Sequence, residues 1–121
     1  MNTDLNDRLK NFALRIIVLY SALSRRGAAQ VLGNQILRSG TSPGAQYREA
    51  RRAKSNADFV SKIEGALQEL DETQYWLELI SEANILPSKR LEGLHQEAEE
   101  LISILVTITK GVKGRNKTRR R

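Results

Sequence analysis

Apolar residues recur at steps of three and four along most of the chain, and this spacing constrains the fold more than any other feature. Such a period places apolar side chains on one face of an α-helix. Four segments show it, at about residues 5–24, 28–53, 55–84 and 88–112. No stretch alternates with a period of two, so a sheet is not expected. Because the segments are similar in length and joined by short loops, we predict an all-α, antiparallel up-down-up-down four-helix bundle.

The second segment leaves two structures open. Its centre contains Gly40, Pro43 and Gly44, and inside a helix glycine and proline cost about 1 and 3 kcal/mol respectively. Pro43 also lacks the N–H that would bond to the carbonyl of Ser39. From the residues alone, the segment can form two shorter helices or one kinked helix.

Two segment ends carry clear signals. Ser55, followed three residues later by Asp58, predicts the N-cap of the third helix. The last residues are highly charged and poor in apolar side chains, so they lack the means to pack. We therefore predict a bundle over residues 1–110 and a disordered basic C-terminal tail over residues 111–121.

The charge is divided unevenly along the 121 residues. Residues 1–55 hold ten Lys/Arg and three acids, residues 56–109 hold three and eleven, and residues 110–121 hold seven and none. This division indicates either a polyanionic partner or oppositely charged faces that meet between subunits.

Few residues offer catalytic or metal chemistry. There is no cysteine, and His95 is the only histidine. Glu92 and His95 give one copy of a Glu-x-x-His pattern that di-metal bundles need twice, and no phosphate-binding P-loop is present. We expect a protein that is not an enzyme and uses no metal or cofactor. No apolar run is long enough for a signal peptide or a bilayer span, so we expect a cytoplasmic protein without a membrane partner.

Basic residues form the candidate nucleic-acid-binding site. On the second helix, Arg48 and Arg52 share a face that Arg51 flanks, as in a ridge that binds phosphates. The other interpretation is a solvated face, or arginines that pair with acids of the third helix in the same or an adjacent subunit. The full set of candidates is Arg25, Arg26, Arg38, Arg48, Arg51, Arg52, Lys54, Lys113, Arg115, Lys117, Arg119, Arg120 and Arg121.

Tyr75 and Trp76 are the remaining candidates. Aromatic side chains can stack on bases, but a stacking platform needs several of them exposed together. Next to the apolar Leu77 of the third segment, packing in the core or at an oligomer interface is the favoured interpretation.

Five short motifs stand in a distinctive order and spacing. They are Arg38-Ser39 with Ser42, Glu49-Ala50, Ser55 with Asp58-Phe59, Ala66–Glu69 and Glu72–Leu79. In these motifs the chain resembles a bacterial family of four-helix-bundle proteins encoded within intervening sequences of large-subunit (23S) ribosomal RNA genes. That family is related to the accessory variability proteins of diversity-generating retroelements. Unlike most of the family, the chain has Gln46 where Asn is usual.

The resemblance implies a four-helix protomer that assembles as a ring-like homopentamer with a basic surface. It also implies that the second helix continues through Pro43. The retroelement relatives bind a reverse transcriptase and nucleic acid, and an RNA-linked role is implied for the ribosomal RNA members.

The favoured hypothesis is a non-catalytic, oligomeric nucleic-acid-binding protein whose ligand is RNA rather than DNA. One alternative is a helix-turn-helix DNA-binding regulator, built from residues 28–36, a glycine-containing turn and Gln46–Ala53. The other is a protein-interaction scaffold, such as an accessory subunit of a reverse transcriptase.

Overall fold

The computed structural model describes the backbone of residues 2–119 and the side chains of residues 5–115. Four long helices follow one another, and a single 3-10 turn at Ser88–Arg90 precedes the last. They are α1 (Asn2–Ala22), α2 (Gly27–Arg51), α3 (Asn56–Glu82) and α4 (Glu92–Arg119). No strand occurs between residues 2 and 119, so the predicted all-α four-helix bundle is confirmed.

Helices that follow one another in the chain pack side by side, and α4 closes the bundle against α1. Because the directions alternate, α2 and α4 end where α1 and α3 begin. We call that end the lower end of the bundle, and the opposite end, with the α1–α2 and α3–α4 connections, the upper end. The apolar stripes meet in one core. Its largest fully buried side chains include Leu9, Phe12, Ile16, Ile36, Ile63, Leu70, Leu77, Ile80, Leu101 and Leu105.

Helix α2 is continuous from Gly27 to Arg51, with Pro43 inside it. Its small residues face α1: Gly40 lies against Ile16, where an added Cβ would come within 2.6 Å of Cγ1. Pro43 itself is fully buried. Burial of this face against a neighbouring helix therefore offsets the local cost of glycine and proline.

The helix-turn-helix alternative is wrong, because it needs a turn between residues 28–36 and Gln46 and that stretch of α2 is helical. Hydroxyl groups next to the proline bond to the backbone one turn earlier. Thr41 Oγ1 donates to the carbonyl of Leu37 at 2.7 Å, and Ser42 Oγ donates to that of Arg38 at 2.6 Å.

Helix α3 begins and ends as the sequence indicates. Ser55 is its N-cap, and the Ser55 hydroxyl accepts a hydrogen bond from the backbone N–H of Asp58 at 3.0 Å. Just after the helix, Asn84 adopts φ 58°, a left-handed conformation that asparagine tolerates better than most residues.

Helix α4 extends further than the sequence predicted. The tail was expected to begin at residue 111, but the helix continues to Arg119. The reason is Val112, which is buried and continues the apolar stripe of Leu105 and Ile108 by one more turn. Arg120 and Arg121 lie outside the described residues. No helix in the described chain is long and apolar enough to cross a membrane.

Candidate nucleic-acid interface

Most of the predicted basic residues that the structure describes lie toward the two ends of the bundle, whereas Arg38 lies near the middle of α2. Arg25 and Arg26 lie in the upper connection between α1 and α2, whereas Arg51 and Arg52 lie where α2 ends at the lower end. A helix of 25 residues separates the two pairs by roughly 37 Å. These arginines therefore do not form one continuous surface.

Some of the predicted cations form ion pairs with acidic side chains of the same chain. Arg38 Nη1 donates to Glu69 at 2.9 Å and Nη2 to Glu72 at 2.8 Å, so Arg38 joins α2 to α3. The hydrogen bond with Glu69, and then that with Glu72, raises the pKa of the Arg38 guanidinium. Lys113 Nζ similarly contacts Glu64 Oε2 at 2.8 Å. Both side chains are therefore paired with acids of α3 within the same chain.

Other cations at the lower end have no acidic partner among the described side chains. Among the described side chains, no carboxylate forms an ion pair with Arg51, Arg52, Lys54 or Arg115. All four side chains are exposed. Arg48 is exposed too, and its Nε lies 3.4 Å from Asn6 Oδ1. Exposed cations without a partner are available to an anionic ligand.

A cleft of about 550 Å³ opens between these cations, and we call it the end cleft. Arg51, Lys54 and Arg115 contribute its charged groups, and no carboxylate is among the described residues that line it. Arg51 is positioned by Tyr47, since its guanidinium carbon lies 6.0 Å from the ring centroid. The lining residues are Tyr47, Ala50, Arg51, Ala53, Lys54, Ser55, Asn56, Phe59, Ile108, Val112 and Arg115.

Side chains, rather than helix dipoles, set the positive potential of the end cleft. The negative end of α2 and the positive end of α3 meet there, so their dipole contributions oppose each other. The three cations therefore decide the sign of the net electrostatic potential in the end cleft.

Residues 2–107 match the family model of the 23S rRNA-intervening sequence protein. The chain belongs to this family.

A solved structure supports the assignment of this intervening-sequence protein at the level of the fold. It is the crystal structure of a protein of unknown function from the S23 ribosomal protein family of Bacteroides thetaiotaomicron. The two chains are 38% identical, with a TM-score of 0.81, over 88% of this chain and 98% of the other. No curated protein matches the chain.

Tyr75 and Trp76 of the intervening-sequence protein differ in exposure. Tyr75 is 54% exposed, whereas Trp76 is half-buried and packs against the core. The two rings lie 5.2 Å apart at 58°. Trp76 therefore has the core position that the sequence favoured, and an interface role for Tyr75 stays a prediction.

His95 lies at the margin of the core. Its Nε2 is 2.9 Å from Glu78 Oε2 on α3, and its neighbour Leu94 is buried. Within the described part of the chain, no three His, Asp or Glu side chains converge as metal ligands would.

An exposed apolar stripe on α1 of the intervening-sequence protein was missed by the sequence reasoning. Leu14, Ile17 and Val18 are 50, 43 and 67% exposed. Their spacing of three and four residues beside the buried stripe is a signal that could have revealed a second apolar face.

Proposed function

We propose that this intervening-sequence protein is a non-catalytic, oligomeric, cytoplasmic nucleic-acid-binding protein, and that its ligand is RNA rather than DNA. The observation that supports the proposal most is the set of exposed cations around the end cleft that have no acidic partner among the described side chains. Membership of a family encoded with 23S ribosomal RNA favours RNA.

The proposed binding surface consists of residues near the ends of α2 and α4. Its described members are Arg48, Arg51, Arg52, Lys54 and Arg115. Lys117, Arg119, Arg120 and Arg121 come next in the sequence, and their side chains are outside the described residues. Such a surface contacts phosphates, so binding is expected to be weakly sequence-specific and strongly salt-dependent.

The first experiment measures RNA binding of two matched double variants. Arg51→Glu with Arg52→Glu changes the lower end, and Arg25→Glu with Arg26→Glu makes the same charge change at the upper end. Fluorescence anisotropy with structured RNA, single-stranded RNA and duplex DNA over about 50–200 mM salt gives the affinities. We expect the lower-end variant to bind RNA at least tenfold more weakly and to show a salt slope smaller by about 1 for each lost phosphate contact.

Two controls make this result interpretable. Circular dichroism must show that both variants remain helical. A chain ending at Arg115 tests the tail; ending the chain at Lys110 would remove the buried Val112 and disturb the bundle. Equal RNA affinity of the lower-end variant, the shortened chain and the unchanged protein would contradict the proposed surface.

The proposed oligomer is a homo-oligomer, and the family resemblance suggests a pentamer. Its structural support is the exposed apolar stripe of α1, because exposed apolar patches commonly mark protein contacts. Light scattering should give a mass five times that of the 13.7 kDa chain. A mass of one chain at micromolar concentration would remove this part of the proposal.

A second candidate function is a protein-interaction scaffold, such as an accessory subunit of a reverse transcriptase. It is favoured by the acidic surface that Asp71, Glu72 and Glu78 form beside the exposed Tyr75, which complements a basic protein. Absence of RNA binding at 50 mM salt, together with a stable complex with a basic reverse transcriptase, would support the scaffold over the RNA-binding function.

A further inference from the structure

The end cleft combines cations at its rim with apolar side chains beneath them. Arg51 and Lys54 are three residues apart where α2 ends, whereas Arg115 comes from α4, so the folded bundle is needed to bring Arg115 beside the other two. Phe59 and Ile108 line the interior of the cleft and are half-buried. Val112 also lines the cleft and is buried. The cleft thus offers both a site for an anion and a surface for a flat apolar group.

Its size suits a small ligand. Pockets that hold small molecules measure about 300–1,000 Å³, and the end cleft measures about 550 Å³. A second cleft at the upper end, of about 360 Å³, is lined by Glu78, Glu82 and Glu92 and by His95. Those carboxylates would repel a phosphate. A third cleft, of about 320 Å³, is lined by the two cations Arg15 and Arg90, so the end cleft, with three cations and a larger volume, suits an anionic ligand better.

We propose that the end cleft binds one unpaired nucleotide of the RNA. The phosphate lies between Arg51, Lys54 and Arg115, and the base lies against Phe59 and Ile108. A base inside a duplex is already stacked and cannot enter the cleft, whereas a nucleotide at an overhang or bulge can do so without first being unpaired. This inference rests on the proposed function, since it takes RNA as the source of the nucleotide.

The arrangement gives the protein a preference that a basic surface alone lacks. Phosphate contacts along a helix do not distinguish a blunt end from an extended one. A cleft that holds a base does distinguish an extended end from a blunt one. One base contact raises the affinity for RNA by at least about fivefold. The end cleft therefore directs the protein to RNA ends or bulges.

The test compares a blunt RNA hairpin with the same hairpin carrying a three-nucleotide single-stranded extension. Two variants accompany the unchanged protein. Ala53→Phe fills the cleft without altering any charge, and Ala57→Phe places the same ring on an exposed residue outside the cleft. We expect the unchanged protein and Ala57→Phe to bind the extended hairpin at least fivefold more tightly, and Ala53→Phe to bind both hairpins equally.

A titration with AMP, followed by amide chemical shifts, tests the cleft without RNA. AMP should shift the amides of Ala53, Phe59 and Val112, and inorganic phosphate should shift them less. Equal binding of both hairpins by the unchanged protein would overturn the nucleotide site and leave RNA binding by the lower end intact. If neither hairpin binds, the proposed function fails, and an absence of AMP shifts at the cleft overturns the nucleotide site as well.

Discussion

Gly40 determines how closely α2 approaches α1. A Cβ at this position would lie 2.6 and 2.9 Å from the two γ carbons of Ile16, which is fully buried and cannot move aside. A Cβ added at Gly44 would lie 3.7 Å from the nearest atoms of Leu9, which is an ordinary van der Waals distance. Two glycines on one helix face therefore have different roles, and only the first is required by packing.

Replacing Gly40 by alanine should destabilise the protein by about 1–2 kcal/mol. Overpacking of a filled core costs about 1–3 kcal/mol, which exceeds the gain of about 1 kcal/mol from the better helix former. Gly44→Ala is the matched control and should be neutral or stabilising by up to about 1 kcal/mol. Urea unfolding measures both, and equal effects of the two substitutions would contradict the difference in packing.

Which cations line the end cleft could be predicted only in part from the sequence. Arg38 and Arg51 look alike there, yet Arg38 is held by Glu69 and Glu72 while Arg51 lies over Tyr47 at the end cleft. Which arginine pairs depends on the acids that the neighbouring helix brings across. The pairing of an arginine therefore depends on the tertiary structure, and the periodicity of one helix cannot predict it.

At the scale of helices, periodicity predicted α1, α3 and most of α4 because their buried stripes are regular. Periodicity did not decide whether α2 is one helix or two. Local propensity includes the cost of Pro43 but not the packing of that helix face against α1. The end of α4 was set too early for a related reason. The apolar stripe was followed as far as Val112, and the charged residues after it gave no signal that the helix continues to Arg119.

The N-cap of α3 provides a test at this scale. Ser55→Ala removes the acceptor for the N–H of Asp58 and should destabilise the protein by about 1 kcal/mol. Ser61 is exposed within α3, so Ser61→Ala should have an effect close to zero. Thermal unfolding by circular dichroism measures the difference, and an unchanged midpoint for Ser55→Ala would show that the cap does not limit stability.

For the whole molecule, charge and apolar surface are separated in space. Cations without acidic partners gather at the lower end, acids lie along α3 and α4, and the exposed apolar stripe lies on the outer face of α1. An arrangement with different surfaces on different sides allows one face to bind RNA while another joins subunits.

Subunit contact through α1 can be tested by introducing charged residues on its exposed apolar stripe. Leu14→Glu with Val18→Glu places two carboxylates on the apolar stripe and should reduce the mass in solution to that of one chain, because buried unpaired charges are costly. Val31→Glu, at an exposed apolar residue of α2, should leave the mass unchanged. An unaltered oligomer in the α1 double variant would place the interface elsewhere.

The even number of alternating helices has a practical consequence. Helix α1 begins, and α4 ends, at the lower end of the bundle, beside the proposed RNA surface. An affinity tag or fluorescent protein fused at either terminus would therefore occupy the space that the RNA needs. A dye attached in the connection between α3 and α4, near Pro87, would report on binding from the far side without competing for it.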